Sequence, residues 1–290
     1  MTHAFFDRQP AGVPSLTLLA PAKVNLTLDV LGRRPDGYHE LASIMASVNL
    51  FDQVTLQAAP PGVLEVTWEG QALPQDNTAR RAAAAFFAQR PGGARIHLVK
   101  TIPQQAGLGG GSADAAAVLW GLSRLYGGID REALFSMARS VGADVPFCLQ
   151  GGCALAEGIG HKLTSLPCPH LHLLLLMGET GVSTAALFRS LTLPLPHPDT
   201  QGAIAALQGP PQDLAPFLCN ALEAPAAALA PEIQTLKEAL LAQGALAAFM
   251  TGSGACVVGL FPDPAAQQQA YAHFAGLPFR ALCSTGHFAV

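Results

Sequence analysis

Three stretches of the first seventy residues, 15–31, 43–58 and 63–69, are dense in Val, Leu, Ile and Thr and are punctuated by "PAK", "RRPDG" and "PPG". Runs of that kind bounded by Pro, Asp and Gly predict consecutive strands and turns. The pattern then changes period. "DNTARRAAAAFFAQRPGG" supplies an Asp or Asn cap, an alanine-rich body and a Pro-Gly-Gly stop, which predicts a helix over about 77–89. "ARIHLVK" returns to strand, and Ala115, Val118, Leu119, Leu122 and Leu125 then recur at helical spacing, predicting a helix that starts near Ser112 or Ala113.

A further helix over about 130–140 ends at "GADVPF", "GGCALAEG" reads as a strand, and a break at 167–169 divides the chain into 1–166 and 167–290. The second part predicts a strand at 171–177, a helix at 183–190, a Pro-rich loop at 194–198 and two helices over about 217–243. Strands near 245–250 and 255–260, a helix at 263–275 and a final strand complete it. Without strict strand–helix alternation, the class is α+β.

Composition narrows the functions open to such a chain. Its 290 residues are 50% apolar, ample for a core, and only 12% charged. A net charge of −4 with no run of Lys or Arg excludes binding driven by a nucleic-acid backbone. The most apolar stretch, "LHLLLLM" at 171–177, is far below the roughly 18 residues of a membrane span and reads as a buried strand. "MTHAFFDRQP" lacks the marks of a secretory leader, so a cytoplasmic setting is expected. Six cysteines without a C-x-x-C pair read as reduced, mostly buried thiols. Only His170 and His172 are closely paired, with no acidic or Cys neighbour to complete a metal site, and no metal ligands are assigned.

The candidate chemistry lies in "QQAGLGGGSADAAAVLWGL", residues 104–122. Glycine costs about 0.5–1 kcal/mol of backbone entropy, so Gly107, Gly109, Gly110 and Gly111 imply close approach to the main chain. A P-loop requires Lys before the Ser, and Gly111 stands there instead. The spacing also fails the G-x-G-x-x-G turn, and Pro103 separates the loop from its strand. What remains is a longer loop that delivers phosphate to a helix N-terminus, where unpaired N–H groups and the dipole stabilise an anion. A flexible linker fits poorly with an amphipathic helix starting directly after it.

Other residues carry two readings each. Asp144 either accepts a proton from a substrate hydroxyl or caps the turn before Pro146. Lys23, in an apolar strand, is either paired and functional or turned to the surface. Asn25 shares its face by alternation. "PDGYHE" is explained by turn chemistry alone unless Tyr38 and His39 serve a ligand. Asp114 reads as a first-turn acid that stabilises its helix.

"PQQAGLGGGSADAA" resembles the P-x-x-x-G-L-(G/S)-(G/S)-S-(S/A) signature of the GHMP superfamily of galactokinases and homoserine, mevalonate and phosphomevalonate kinases. "PAKVNLTLDVLGRRPDGYHEL", "GADVPFCLQGGCALAEGIG" and "MTGSGACVVGLF" follow the order found in its 4-diphosphocytidyl-2-C-methyl-D-erythritol kinase family, over residues 20–260. That resemblance implies a ribosomal-protein-S5-like N-terminal domain and a ferredoxin-like C-terminal one. It also implies ATP as co-substrate with Mg²⁺, a small substrate carrying cytidine diphosphate, no nucleic-acid or membrane partner, and a monomer or weak homodimer.

By the same resemblance Asp144 is the base and Lys23 polarises the hydroxyl beside it, while Asn25 bonds the diol or a phosphate. Tyr38 stacks on the cytosine and His39 hydrogen-bonds it. Thr184 and Phe188 close over the cytidine, and Gly252 and Ser253 approach substrate from behind the phosphate loop. Lys100, Pro103, Gly107, Leu108, Gly109, Gly110, Gly111, Ser112, Ala113 and Asn77 line the nucleotide side. Two departures bear on nucleotide affinity: Gln105 stands where many relatives have Gly, and His161 where an acidic residue usually follows "GIG". A sister kinase acting on mevalonate, homoserine or a sugar, a non-catalytic nucleotide-binding protein, and a dehydrogenase are the alternatives.

Overall fold

A computed structural model of the chain describes residues 15–290. The leader reading, which rests on residues 1–10, lies outside the described residues. Among the described residues, the first part builds β1 (Ser15–Arg33), β2 (His39–Ala59), β3 (Leu64–Trp68), β4 (Gln71–Ala72), β5 (Gly93–Val99), β6 (Cys153–Gly158) and β7 (Lys162–Leu166). Its helices are α1 (Thr78–Gln89), α2 (Gly110–Tyr126), α3 (Arg131–Val141) and α4 (Val145–Gln150). The second part contributes β8 (His172–Met177), β9 (Cys219–Asn220), β10 (Ala247–Met250), β11 (Val257–Phe261) and β12 (Phe279–Ser284). Its helices are α5 (Thr184–Ser190), α6 (Thr200–Ala206), α7 (Pro211–Leu214), α8 (Glu223–Leu229), α9 (Glu232–Ala242) and α10 (Pro264–His273).

The first sheet runs β4-β3-β5-β2-β1-β9, with β6 also pairing β2 and β7 pairing β6. "PAK" does not end a strand as expected. β1 continues through it, and its register with β2 jumps from Pro21↔Phe51 to Lys23↔Ser47. Proline cannot donate to a sheet, so a bulge is where a strand can hold one. The bulge frees the Lys23 amide, which donates instead to the Leu108 carbonyl at 3.0 Å.

One face of this sheet carries α1 and α2, packed through Leu18, Leu56, Ile96, Phe86 and Leu119. Gly121 lets α2 approach closely, because a Cβ there would stand 2.6 Å from Leu56 Cδ1. Asn77 opens α1 by accepting from the amides of Ala79 and Arg80.

The second sheet is β10-β11-β8-β12. Leu173 and Leu175 of β8 face a core shared with Val24, Leu26 and Ile44, while Leu174 and Leu176 face Leu236 and Leu240 of α9. Both faces are covered, which is why the strand reads as an unbroken apolar run. The break at 167–169 falls between β7 and β8, yet β9 returns to pair with β1 at Thr27 and Leu28. No helix among the described residues is long and apolar enough to cross a membrane.

Three details depart from the expected elements. α2 begins at Gly110, ahead of Ser112, with left-handed Gly109 as its N-cap; glycines carry no side-chain period, so periodicity starts later than the helix. α4, six residues long, follows Asp144 in the stretch between the expected helix and the strand of "GGCALAEG", too short to repeat a 3.6-residue pattern; that strand forms as β6. α6 and α7 occupy 200–214, which carries no expected element, and β9 at Cys219–Asn220 stands where the first of two helices over 217–243 is expected; that helix, α8, starts at Glu223.

Candidate active site

The glycine loop is held by its neighbours at positions that only glycine suits. Gly107 has φ 74°, and a Cβ on it would lie 2.1 Å from the Thr251 carbonyl oxygen. Gly109 has φ 72°, and its Cβ would press on Lys23 Cγ at 2.9 Å. From the other side, the amides of Ala255 and Cys256 donate to the carbonyls of Gln105 and Ala106 at 3.1 and 3.2 Å. Gly110 and Gly111 are the first residues of α2, where amides have no partner within the helix.

The Ser112 and Ala113 amides both reach the Gly109 carbonyl at 2.9 Å. Ala113 is fully buried, and its methyl group packs in the core beneath the loop.

Gln105 has φ 54°, a left-handed conformation that disfavours any residue but glycine by about 1–2 kcal/mol. Its side chain lies over Gly181, where a Cβ would stand 2.9 Å from Gln105 Oε1. Gln105→Gly is expected to exchange that strain for about 0.5–1 kcal/mol of chain entropy. The thermal midpoint should therefore rise by at most a few degrees, read by differential scanning calorimetry, at roughly 2–4 °C per kcal/mol.

Lys23 and Asp144 meet, Nζ to Oδ2 at 3.6 Å, with the lysine side chain 5% exposed and the aspartate 32%. Lys23 Nζ also donates to Asn25 Oδ1 at 2.6 Å. Asn25 Nδ2 donates to Ser43 Oγ at 2.7 Å, and Ser43 donates to the Thr27 carbonyl at 2.5 Å. The Asn25 amide donates to Thr251 Oγ1 at 2.9 Å, which joins β1 to the turn after β10. Asp144 stands at the N-cap of α4 without accepting a capping hydrogen bond, so its carboxylate faces the cleft instead of the backbone.

These groups line one cleft of about 520 Å³. Lys23, Asn25, Lys100, Pro103, Gly107, Leu108, Gly109, Gly110, Gly111, Ser112, Asp144, Thr184, Phe188, Gly252 and Ser253 all border it. Thr184 Oγ1 and Ser253 Oγ are 2.6 Å apart. Asn77, expected on the nucleotide side, is spent on capping α1; its neighbour Thr78 borders the cleft and donates from Oγ1 to the Gly111 carbonyl at 2.8 Å.

Tyr38 and His39 lie in an adjoining hollow of about 700 Å³, which shares Leu41, Ala143, Ile159, Thr184 and Phe188 with the cleft. Tyr38 is 62% exposed, and the His39 ring sits 5.1 Å from that of Phe188. Burial first, and then the charge of Arg33, hold the His39 imidazole below its ordinary value. His161 is lowered likewise, by burial above all, and its Nδ1 is buried with no hydrogen-bond partner among the described residues.

Lys100 is engaged by two carboxylates. Its Nζ pairs with Asp52 Oδ2 and, at 2.5 Å, with Asp114 Oδ2. Asp52 Oδ1 accepts from the amides of Thr101 and Ile102 at 2.6 and 2.9 Å. Asp114 is therefore no first-turn acid: it lies in the second turn of α2, buried, with Oδ1 unpartnered among the described residues. Burial pushes its carboxyl up, Lys100 opposes the rise and Asp52 adds to it, to about 7. Burial alone would lower Lys100, but the charges of Asp114 and Asp52 outweigh it and hold the ammonium above its ordinary value.

Sequence reasoning missed Asp52, Ser43, Thr78 and Thr251. Asp52 lies on β2, 48 residues from Lys100 in the segment after β5, and no short-range pattern joins them.

Known proteins share this architecture. The model of the GHMP kinases N terminal domain matches residues 77–152, and that of the GHMP kinases C terminal matches 203–276. A 4-diphosphocytidyl-2-C-methyl-D-erythritol kinase of Pelotomaculum thermopropionicum is 43% identical over 268 residues, covering 89% of this chain and 93% of its own. One from Caldicellulosiruptor saccharolyticus is 42% identical over 257 residues, 86% of this chain and 89% of its own.

A crystal structure of a 4-(cytidine 5'-diphospho)-2C-methyl-D-erythritol kinase superposes with a TM-score of 0.81 at 36% identity, covering 93% of this chain and 99% of that one. The homoserine kinase of Cytophaga hutchinsonii shares the fold, with a TM-score of 0.75 at 20% identity, covering 98% of each chain. The two-domain GHMP architecture, the α+β class and identities of 43% and 42% over most of the chain agree, and the chain belongs to the 4-diphosphocytidyl-2-C-methyl-D-erythritol kinase family.

Proposed function

We propose that the chain transfers the γ-phosphoryl group of ATP to the 2-hydroxyl of 4-diphosphocytidyl-2-C-methyl-D-erythritol, with Asp144 as base and the loop 107–112 as phosphate cradle. The observation that carries this is the Lys23–Asp144 pair at 3.6 Å, facing the glycine loop across one cleft. Phosphoryl transfer needs held phosphates, a hydroxyl in line and neutralised charge on the moving group. The free amides at the start of α2 hold the β- and γ-phosphates. The substrate oxygen sits between Lys23 and Asp144; as its electron pair attacks phosphorus, its proton passes to Asp144 and ADP leaves with the former bridging oxygen.

Mg²⁺ keeps several of its waters and binds through substrate phosphates, so it enters with ATP as part of the co-substrate. Among the described residues, no group of three or more His, Cys, Asp or Glu is arranged to hold a metal by itself. Both substrates are small and water-soluble, and a cytoplasmic setting is part of this reading.

The adjoining hollow takes the cytidine. Stacking on an aromatic side chain contributes about 1–3 kcal/mol per base, so Tyr38→Ala should raise KM for the cytidine substrate by roughly 5–150-fold and leave KM for ATP unchanged. Incubation with ATP and each of the cytidine-bearing alcohol, mevalonate and homoserine tests the assignment, with ADP release as the readout. Faster turnover of an alcohol without cytidine would overturn it.

A further inference from the structure

Asp52 and Asp114 have no part in the reaction as derived, yet they hold Lys100, which borders the cleft beneath the phosphate loop. Two buried carboxylates share a single ammonium, so with both ionised the cluster carries one negative charge in excess. That excess sits close to where a triphosphate would bind. A Cβ on Gly110 would be 3.4 Å from Asp52 Oδ2, and Asp114 is four residues along α2 from Gly110, on the same helix face at about 6 Å of rise. Asp114 Oδ1 is buried and bonded to nothing among the described residues, a poor place for an anion.

Resting on the ATP-binding reading above, we propose that Asp52 and Asp114 are positioning residues that store Lys100 and release it to the nucleotide phosphates, with Asp114 taking up one proton from solvent in its place. The balance is simple: Lys100 stays an ammonium and exchanges a carboxylate for a phosphate oxygen, no covalent bond changes in the nucleotide, and one solvent proton goes onto Asp114. The groups facing Asp114 are Asp52 from β2, Lys100 from the segment after β5 and Cys148 from α4, with Lys23 of β1 and Asp144 beyond Cys148. Burial above all pushes the Cys148 thiol up, so it stays uncharged through this range.

The sign follows from a free-protein value for Asp114 of about 7. Losing Lys100 and gaining nearby phosphate charge both raise it further. Below pH 7 the proton is already present and little is taken up; above pH 7 it must be captured on binding, so affinity falls as pH rises, by up to about tenfold per pH unit.

Titration calorimetry of the full chain with an unreactive ATP analogue at pH 8, in two buffers of different ionisation enthalpy, reads the proton directly. The expected result is uptake of a substantial fraction of a proton by the wild type and none beyond the nucleotide's own contribution by Asp114→Asn, together with a KM for ATP that climbs from pH 7 to 9 only in the wild type. A merely structural Asp114 would alter affinity without flattening that profile. Equal uptake by both proteins, or a wild-type KM that is flat with pH, overturns the proposal. Isotope-edited infrared spectra of the wild type with ¹³C-labelled aspartate, which must gain a protonated carboxyl band on analogue addition at pH 8, serve if Asp114→Asn does not fold. No binding of the analogue even at pH 6.5 would refute the ATP reading itself.

Discussion

Asp144→Asn is expected to lower kcat by about 10²–10⁴-fold, the usual worth of a positioned general base, while the KM for ATP and the thermal midpoint stay near those of the parent. The substitution keeps the size of the side chain and removes its capacity to take a proton. Asp144 makes no capping hydrogen bond at the start of α4, so the helix does not depend on its carboxylate. Lys23 keeps its donation to Asn25 at 2.6 Å when the ion pair at 3.6 Å is lost. Steady-state rates with ATP and the cytidine-bearing alcohol, beside equilibrium binding of an ATP analogue, separate chemistry from binding. A variant turning over within tenfold of the parent would remove Asp144 from the role of base.

Gly107→Ala should produce the largest loss of stability of any single methyl addition in the loop. The left-handed backbone at φ 74° costs a non-glycine residue about 1–2 kcal/mol, and overpacking adds about 1–3 kcal/mol more. The overpacking is unavoidable because the new Cβ would meet the Thr251 carbonyl oxygen at 2.1 Å and the Gly254 amide at 3.1 Å, both main chain. At roughly 2–4 °C per kcal/mol, the thermal midpoint should fall on the order of 10 °C. Gly244→Ala is the matched control: φ is 88° and nothing lies within 4 Å, so only the backbone cost applies. Equal falls for the two variants would show that the loop yields freely and that the contact with the turn after β10 does not hold it.

The long elements are legible because each carries its own local rule. α1 announces itself through Asn77 and the Pro-Gly-Gly stop, and β8 through four consecutive leucines with both faces covered. The phosphate loop is legible because a cluster of glycines directly ahead of an amphipathic helix marks main chain that a Cβ would block, as it would at Gly107 and Gly109. What escapes is non-local. Asn77 as a cap and Asn77 as a nucleotide contact look the same in one dimension, and only the path of α1 decides. Asp114 reads as a first-turn acid when the helix is expected to start two residues late; once α2 begins at Gly110, Asp114 turns into the core and finds Lys100. Asp52 reaches the site from β2 and Thr251 from the turn after β10, both far away in sequence, and no spacing rule ties them to it.

The bulge at Pro21–Lys23 makes one residue a ruler. Lys23 grips the phosphate loop through its backbone amide and the proposed base through its ammonium. The separation of the two halves of the reaction is thus the reach of a single lysine, whose buried side chain is held by Asn25 and not by how the two parts of the chain settle on each other. An alcohol anchored at the same points but carrying its hydroxyl about 1 Å further out cannot be met by adjustment, and a misplacement of that size costs up to roughly 10²-fold in rate. Chain length of the acceptor, as much as its base, is then a selected property.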